Sequence, residues 1–203
     1  MKDQTSPPTL LEISGAAYPA GSLGDSIVVI VDAQRVYVDG RLPLSGVDRA
    51  LTEIARLLAR ARAAGTPVIH VVQHGRPGGA ICDPNGPDIA IADEVVPLPG
   101  EPVIVKHLPS SFAGTTLDSA LKPLGRSHLI VVGFMTHMCV STTVRAALDH
   151  GYRCTVIASA CATRDLPDGR GGVLPAAIVH RANLAALADR FARVVETVDE
   201  IPD

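Results

Sequence analysis

The sequence predicts an α/β protein: a three-layer α/β/α fold around a central, mostly parallel sheet of about six strands. Three observations predict it. Short β-branched apolar runs, at 27–31 and 129–132, have the form of strands buried on both faces, which is how parallel strands read. Such runs alternate with segments of helical periodicity, the order that right-handed βαβ crossovers produce. The core has to be aliphatic, because 47% of the 203 residues are apolar while aromatics make up 3% and Trp is absent.

Residues 1–25 are rich in Pro, Gly, Ser and Thr and predict an extended arm with little intrinsic order, free to lie over a neighbouring subunit. Residues 26–203 are expected to form one domain, which this length can support with a full core. A strand is expected at 27–32. Val47, Leu51, Ile54, Leu57, Leu58 and Ala61 recur at helical spacing and predict a helix over 47–64, stopped by Gly65. Thr66-Pro67 leads into a strand at 68–72. Residues 73–102 carry many glycines and prolines; long irregular segments in compact domains are usually functional, and this one is expected to wall the pocket. A strand at 103–106, a helix near 115–124, a strand at 128–133 and a helix over 139–150, ended by Gly151, follow. A strand at 154–157, a helix over 175–191 with Pro175 in its first turn, and a short strand at 194–195 complete the chain.

Composition excludes several classes. The net charge of −3, with dispersed Lys and Arg, leaves no basic footprint for nucleic acid. No apolar run approaches the ~20 residues needed to span a bilayer. The first eight residues lack the apolar stretch of a secretory signal. None of the four cysteines forms a C-x-x-C pair, so a reducing, cytoplasmic setting is expected.

Three predicted strands end in residues that carry chemistry. Strand 27–32 ends in Asp32, with Gln34 two residues on. Strand 103–106 ends in Lys106. Strand 128–133 leads through a short turn to Cys139, placed on the first turn of a helix. Free N–H groups and partial positive charge there favour thiolate over thiol and suit an oxyanion. Active sites of parallel α/β sheets lie beyond the carboxyl ends of the strands, so an acid, an ammonium and a thiol are expected to converge. Cys82, Cys154 and Cys161 lack that setting and read as inert. His107, His128, His150 and His180 read as structural or solvated.

These segments resemble the isochorismatase-like cysteine hydrolases over roughly residues 26–195. The carriers are Asp32-Ala33-Gln34, then Lys106 with 109–115 (PSSFAGT), then 133–140 (GFMTHMCV). The family includes nicotinamidases, N-carbamoylsarcosine amidases, ureidoacrylate and biuret amidohydrolases, and vinyl-ether-cleaving isochorismatases. The resemblance implies a catalytic trio of Asp32, Lys106 and Cys139. It also implies an oxyanion hole from the N–H groups of Met135 and Cys139, and a cis peptide between Phe134 and Met135. The expected reaction is hydrolysis of a C–N bond in a small amide, ureide or carbamoyl compound through a thioester. The rivals are vinyl-ether hydrolysis using Asp32, and a binding module without catalysis.

Gln34, His74, Phe112 and His137 are candidates to contact substrate. Nicotinamidases of the family bind a divalent metal through an Asp-x-His pair and a later His. The corresponding stretch here, 71–76 (VVQHGR), has one His and no such pair, so neither metal nor other cofactor is expected. The apolar, Pro-rich arm and the family resemblance both point to a homo-oligomer, a dimer or tetramer.

Overall fold

The computed structural model describes residues 6–203. Its helices are α1 (Leu10–Ile13), α2 (Val47–Ala63), α3 (Leu117–Leu121), α4 (Ser141–Asp149) and α5 (Ala176–Arg190). Its strands are β1 (Ser26–Val31), β2 (Val68–Gln73), β3 (Val103–Lys106), β4 (His128–Phe134), β5 (Arg153–Ala162), β6 (Leu166–Pro167), β7 (Val173–Leu174) and β8 (Arg193–Val195). Six of them form one sheet in the order β3-β2-β1-β4-β5-β8, with every neighbouring pair parallel. β6 and β7 make a separate antiparallel ribbon.

β1 is buried along its whole length because helices cover both faces of the sheet. Alternation divides its side chains between two cores. Val28 and Ile30 face α2 and pack with Leu51, Ile54 and Leu58. Ile27, Val29 and Val31 join Leu117, Leu121, Val144 and Leu187 from α3, α4 and α5. The strand order reverses between β1 and β4, so a crevice opens above their carboxyl ends.

Several boundaries differ from the sequence expectation. The helix expected from residue 139 begins at Ser141, preceded by a wide π-type turn over Thr136–Val140. β2 extends to Gln73, one residue beyond its expected end, and β5 continues to Ala162. Pro175 caps α5 from outside rather than entering its first turn.

The expected free arm is corrected for residues 6–25; residues 1–5 lie outside the described part. Leu10 N–H donates to Asp189 Oδ1 at 2.8 Å, docking α1 on α5. Tyr18 Oη donates to the Cys154 carbonyl at 3.2 Å, and its ring meets His128 edge-on. Leu23 is fully buried. A Cβ on Gly21 would come within 2.4 Å of Ser26 Oγ, so this contact with the sheet requires glycine. A few apolar side chains anchor the segment, and they carry no periodic signal along the chain.

Candidate active site

Each strand end delivers its side chain by a local device. Asp32 follows β1 directly, and its N–H donates to Val71 O at 2.8 Å, extending the ladder by one rung. Its φ is +51°, a left-handed conformation that non-glycine residues rarely adopt and that costs on the order of 1–3 kcal/mol. On edge strand β3, period-two alternation exposes Val103 and Val105 and turns Ile104 and Lys106 inward. In β4, Gly133 lies beside Val31, and a Cβ there would fall 2.0 Å from the Val31 carbonyl oxygen. Glycine at 133 therefore lets the strand leading to Cys139 run directly against the strand ending in Asp32. The Phe134–Met135 peptide is cis.

Lys106 joins the three groups. Its Nζ lies 2.8 Å from Asp32 Oδ2 and 3.2 Å from Cys139 Sγ. It also donates to Gln73 Oε1 at 2.5 Å and to Leu108 O at 3.2 Å. Asp32 and Lys106 are wholly buried and Cys139 is 5% exposed. The Lys106–Asp32 contact is an ion pair by distance but lies outside hydrogen-bond alignment, and neither Asp32 oxygen has a hydrogen-bond partner among the described residues.

Burial dominates the proton affinities. It raises the Asp32 carboxyl above the ordinary carboxylate value, and the Lys106 charge opposes this. It pushes the Cys139 thiol up to about 12, with the Asp32 charge adding to the rise and Lys106 opposing it. The expected preference for thiolate thus meets an opposing effect: loss of solvation and the Asp32 charge raise the thiol's proton affinity, and the lysine's charge works against that rise. Asp32 and Cys139 act on each other's proton affinity and so titrate as a coupled pair.

A cleft of about 350 Å³ opens onto Cys139, within the range of small-molecule sites. Tyr37, Gln73, Cys82, His107, Met135 and Met138 line it together with the nucleophile. Cys82, read as inert, stands on this wall with its Sγ 4.0 Å from Tyr37 Oη, and burial raises its thiol pKa. Gly75 and Ile81 join it from the long irregular segment, which supplies part of the wall as expected.

None of the four expected substrate contacts is among the lining residues. Gln34 is buried and spent on backbone: its Nε2 donates to Gln73 O and Ile89 O, and its Oε1 accepts from Gln73 N–H. Phe112 is a core aromatic, stacked on His150 at 4.5 Å and beside Tyr152. His74 contributes its backbone, with its N–H donating to Lys106 O at 2.9 Å and its carbonyl accepting from His107 and Gln73. His137 Nδ1 is held by Thr163 Oγ1 at 2.5 Å.

Gln73 and Tyr37 line the cleft without any expectation from the sequence, and His107, expected to be structural or solvated, stands on the wall beside them. Gln73 had a signal: it ends β2 and stands in register with Lys106. Ending the strand one residue early moved attention to His74. Among the described residues, no three His, Cys, Asp or Glu side chains converge as metal ligands. His70, in the middle of β2, instead meets Glu101 Oε2 at 3.1 Å.

A parallel sheet with an acid, a lysine and a cysteine at the crevice above its reversal point defines a hydrolase-type α/β enzyme scaffold. Residues 26–199 match the isochorismatase domain family, and the chain belongs to that family. A crystal structure of an isochorismatase from Pseudomonas putida KT2440 superposes with a TM-score of 0.91 at 46% identity, covering 96% of this chain and 99% of that one. A secreted isochorismatase effector of Verticillium dahliae is 40% identical over 186 residues, 91% of this chain and 95% of the relative. A ureidoacrylate amidohydrolase of Enterobacter sp. is 33% identical over 155 residues, 59% of this chain and 67% of the relative. The protein is an isochorismatase-family hydrolase with amidohydrolases among its relatives. No helix among the described residues is long and apolar enough to cross a membrane.

Proposed function

We propose that this protein hydrolyses a C–N bond in a small amide, ureide or carbamoyl compound by covalent cysteine catalysis. The observation that carries this reading is one buried ammonium held between Asp32 and Cys139, with Cys139 itself lining a cleft. The Enterobacter amidohydrolase supports the choice of bond.

In this scheme Cys139 Sγ attacks the substrate carbonyl while its proton passes to Asp32. Burial raises the proton affinity of Asp32, which makes it a stronger base than a solvated carboxylate. Asp32 then returns the proton to the leaving nitrogen as the C–N bond breaks and the thioester remains. It next takes a proton from water, whose oxygen attacks the thioester carbonyl; the thiol re-forms as the carboxylic or carbamic acid leaves. Lys106 offsets the negative charge as it moves between sulfur and carboxylate. The N–H groups of Met135 and Cys139 hold the oxyanion, each such donor being worth about 3 kcal/mol. No step uses a metal.

The test is a panel of small amides, ureides and carbamoyl compounds assayed for ammonia release, with intact mass measured during turnover. The expected result is release by the wild-type protein together with an acyl adduct on Cys139. Turnover that survives Cys139→Ala, or activity confined to vinyl ethers, would overturn the reading.

A further inference from the structure

A second cavity, of about 330 Å³, lies away from the Cys139 cleft, between β5, the start of α2 and the start of α5. A bulge in β5 opens it. From Val131 to Gly133, β4 advances two residues, while the paired stretch of β5, Val156 to Cys161, advances five. The extra residues leave the ladder, and Ala158 and Ser159 among them become cavity wall. Bulges that break a central ladder beside an active site typically re-aim side chains there.

The wall carries two opposite charges that do not meet. Arg49 from α2 and Glu196 from the turn after β8 both line the cavity. Neither side chain forms an ion pair with the other or with any described residue. The backbone N–H of Ala177, in the first turn of α5, also has no acceptor among the described residues. Both side chains are exposed to solvent, and within the cavity an anion alone would face the Glu196 carboxylate while a cation alone would face the Arg49 guanidinium. A molecule with a carboxylate at one end and an ammonium at the other answers both, with the Ala177 N–H as a further carboxylate donor.

The same wall touches the nucleophile's turn. His180 Nδ1 lies 2.8 Å from Thr136 Oγ1, which in turn donates to Ala162 O at 3.1 Å. Thr163 Oγ1 lies 2.5 Å from His137 Nδ1. Two cavity-wall side chains thus hold consecutive residues of the turn that presents Cys139.

We infer that this cavity is a second binding site, for a small zwitterion of the amino-acid type, seated between Arg49 and Glu196 and in contact through His180 and Thr163 with the Thr136–Val140 turn. The site is independent of the proposed hydrolase chemistry, and its test uses the full-length Cys139→Ala protein, in which that chemistry is absent. Glycine, β-alanine and γ-aminobutyrate supply three charge separations, with butyrate and butylamine as single-charge controls, all by titration calorimetry. At least one zwitterion is expected to bind at millimolar concentration or tighter, and about tenfold or more above both controls. Arg49→Gln and Glu196→Gln are each expected to weaken it about tenfold or more, while leaving the ligand-free melting temperature unchanged. Hydrogen exchange at the amides of 136–140 is expected to slow on binding, and His180→Ala to remove that slowing. Failure of all three zwitterions to bind, equal binding of butyrate, or binding indifferent to both charge substitutions would overturn the site. Binding with unchanged exchange at 136–140 would overturn its link to the turn.

Discussion

Two carboxylates, wholly buried Asp32 at the end of β1 and half-buried Glu101 just before β3, have opposite fates. Glu101 is saturated: Arg62 donates to it twice, at 2.8 and 2.9 Å, and Leu98 N–H and His70 Nε2 supply contacts at 2.9 and 3.1 Å. Those donors hold its carboxyl near 2. Asp32 has one ion-pair contact, no aligned hydrogen bond and complete burial, and its proton affinity rises. A carboxylate with every lone pair satisfied fixes structure, because protonating it is costly. One left under-satisfied in a dry site takes up and returns a proton readily. Depth and donors both differ: Asp32 is wholly buried, and burial is the largest cause of its raised proton affinity, while Glu101 is only partly buried and ringed by donors.

The largest effects expected from this contrast fall on activity. Cys139→Ala and Asp32→Asn should each lower kcat by about a thousandfold or more, and the double variant should be little worse than either, because the two act as one unit. Steady-state kinetics on any substrate the screen finds would check this; additive losses would dissolve the unit. Glu101→Gln should leave kcat within about twofold, as its contacts lie outside the cleft, yet lower stability by about 2–3 kcal/mol at neutral pH. The sign follows from its depressed native pKa: the contribution is full above the unfolded value of 4.5 and fades as pH falls toward 2. Urea melts at pH 7 and pH 3 should therefore separate wild type from variant at the first pH and bring them closer at the second.

A middle-sized effect is expected at Gln73, whose Oε1 sits 2.5 Å from Lys106 Nζ. Gln73→Leu removes a charge-assisted bond from wholly buried Lys106 and should slow turnover by roughly tenfold to a hundredfold, with a stability loss of about 1–3 kcal/mol. A variant at wild-type rate would show that Lys106 is held well enough by its other partners. The smallest effect expected is none: chelator treatment should leave kcat/KM unchanged, since His70 is committed to Glu101 and Gln73 to Lys106. Loss with EDTA that zinc or manganese restores would show that a metal takes part.

The trio was legible in the sequence because Asp32, Lys106 and Cys139 each follow an apolar run, and parallel strands present their carboxyl ends together. Gln34, Phe112, His74 and His137 stand outside the cleft lining for a shared reason. A polar or aromatic side chain near a strand end is claimed by whichever backbone or ring lies beside it in space, and spacing along the chain does not encode that neighbour. The β6–β7 ribbon was missed because two-residue strands have no period. The docked segment 6–25 was missed because Tyr18 and Leu23 anchor it singly, with no period along the chain to mark them. That docking gives residues 6–25 a place on their own subunit, which leaves the family resemblance as the ground for expecting a homo-oligomer.

The complete burial of Lys106 has a practical consequence. The chain has three lysines, at 2, 106 and 122, and the Lys122 side chain is 71% exposed. An amine-reactive tag added to the folded protein reaches Lys122 freely and Lys106 only when the sheet opens. Mass-resolved labelling of these two positions therefore gives an internal clock: Lys122 sets the intrinsic rate of the reagent, and the lag at Lys106 measures how often the centre of the molecule comes apart.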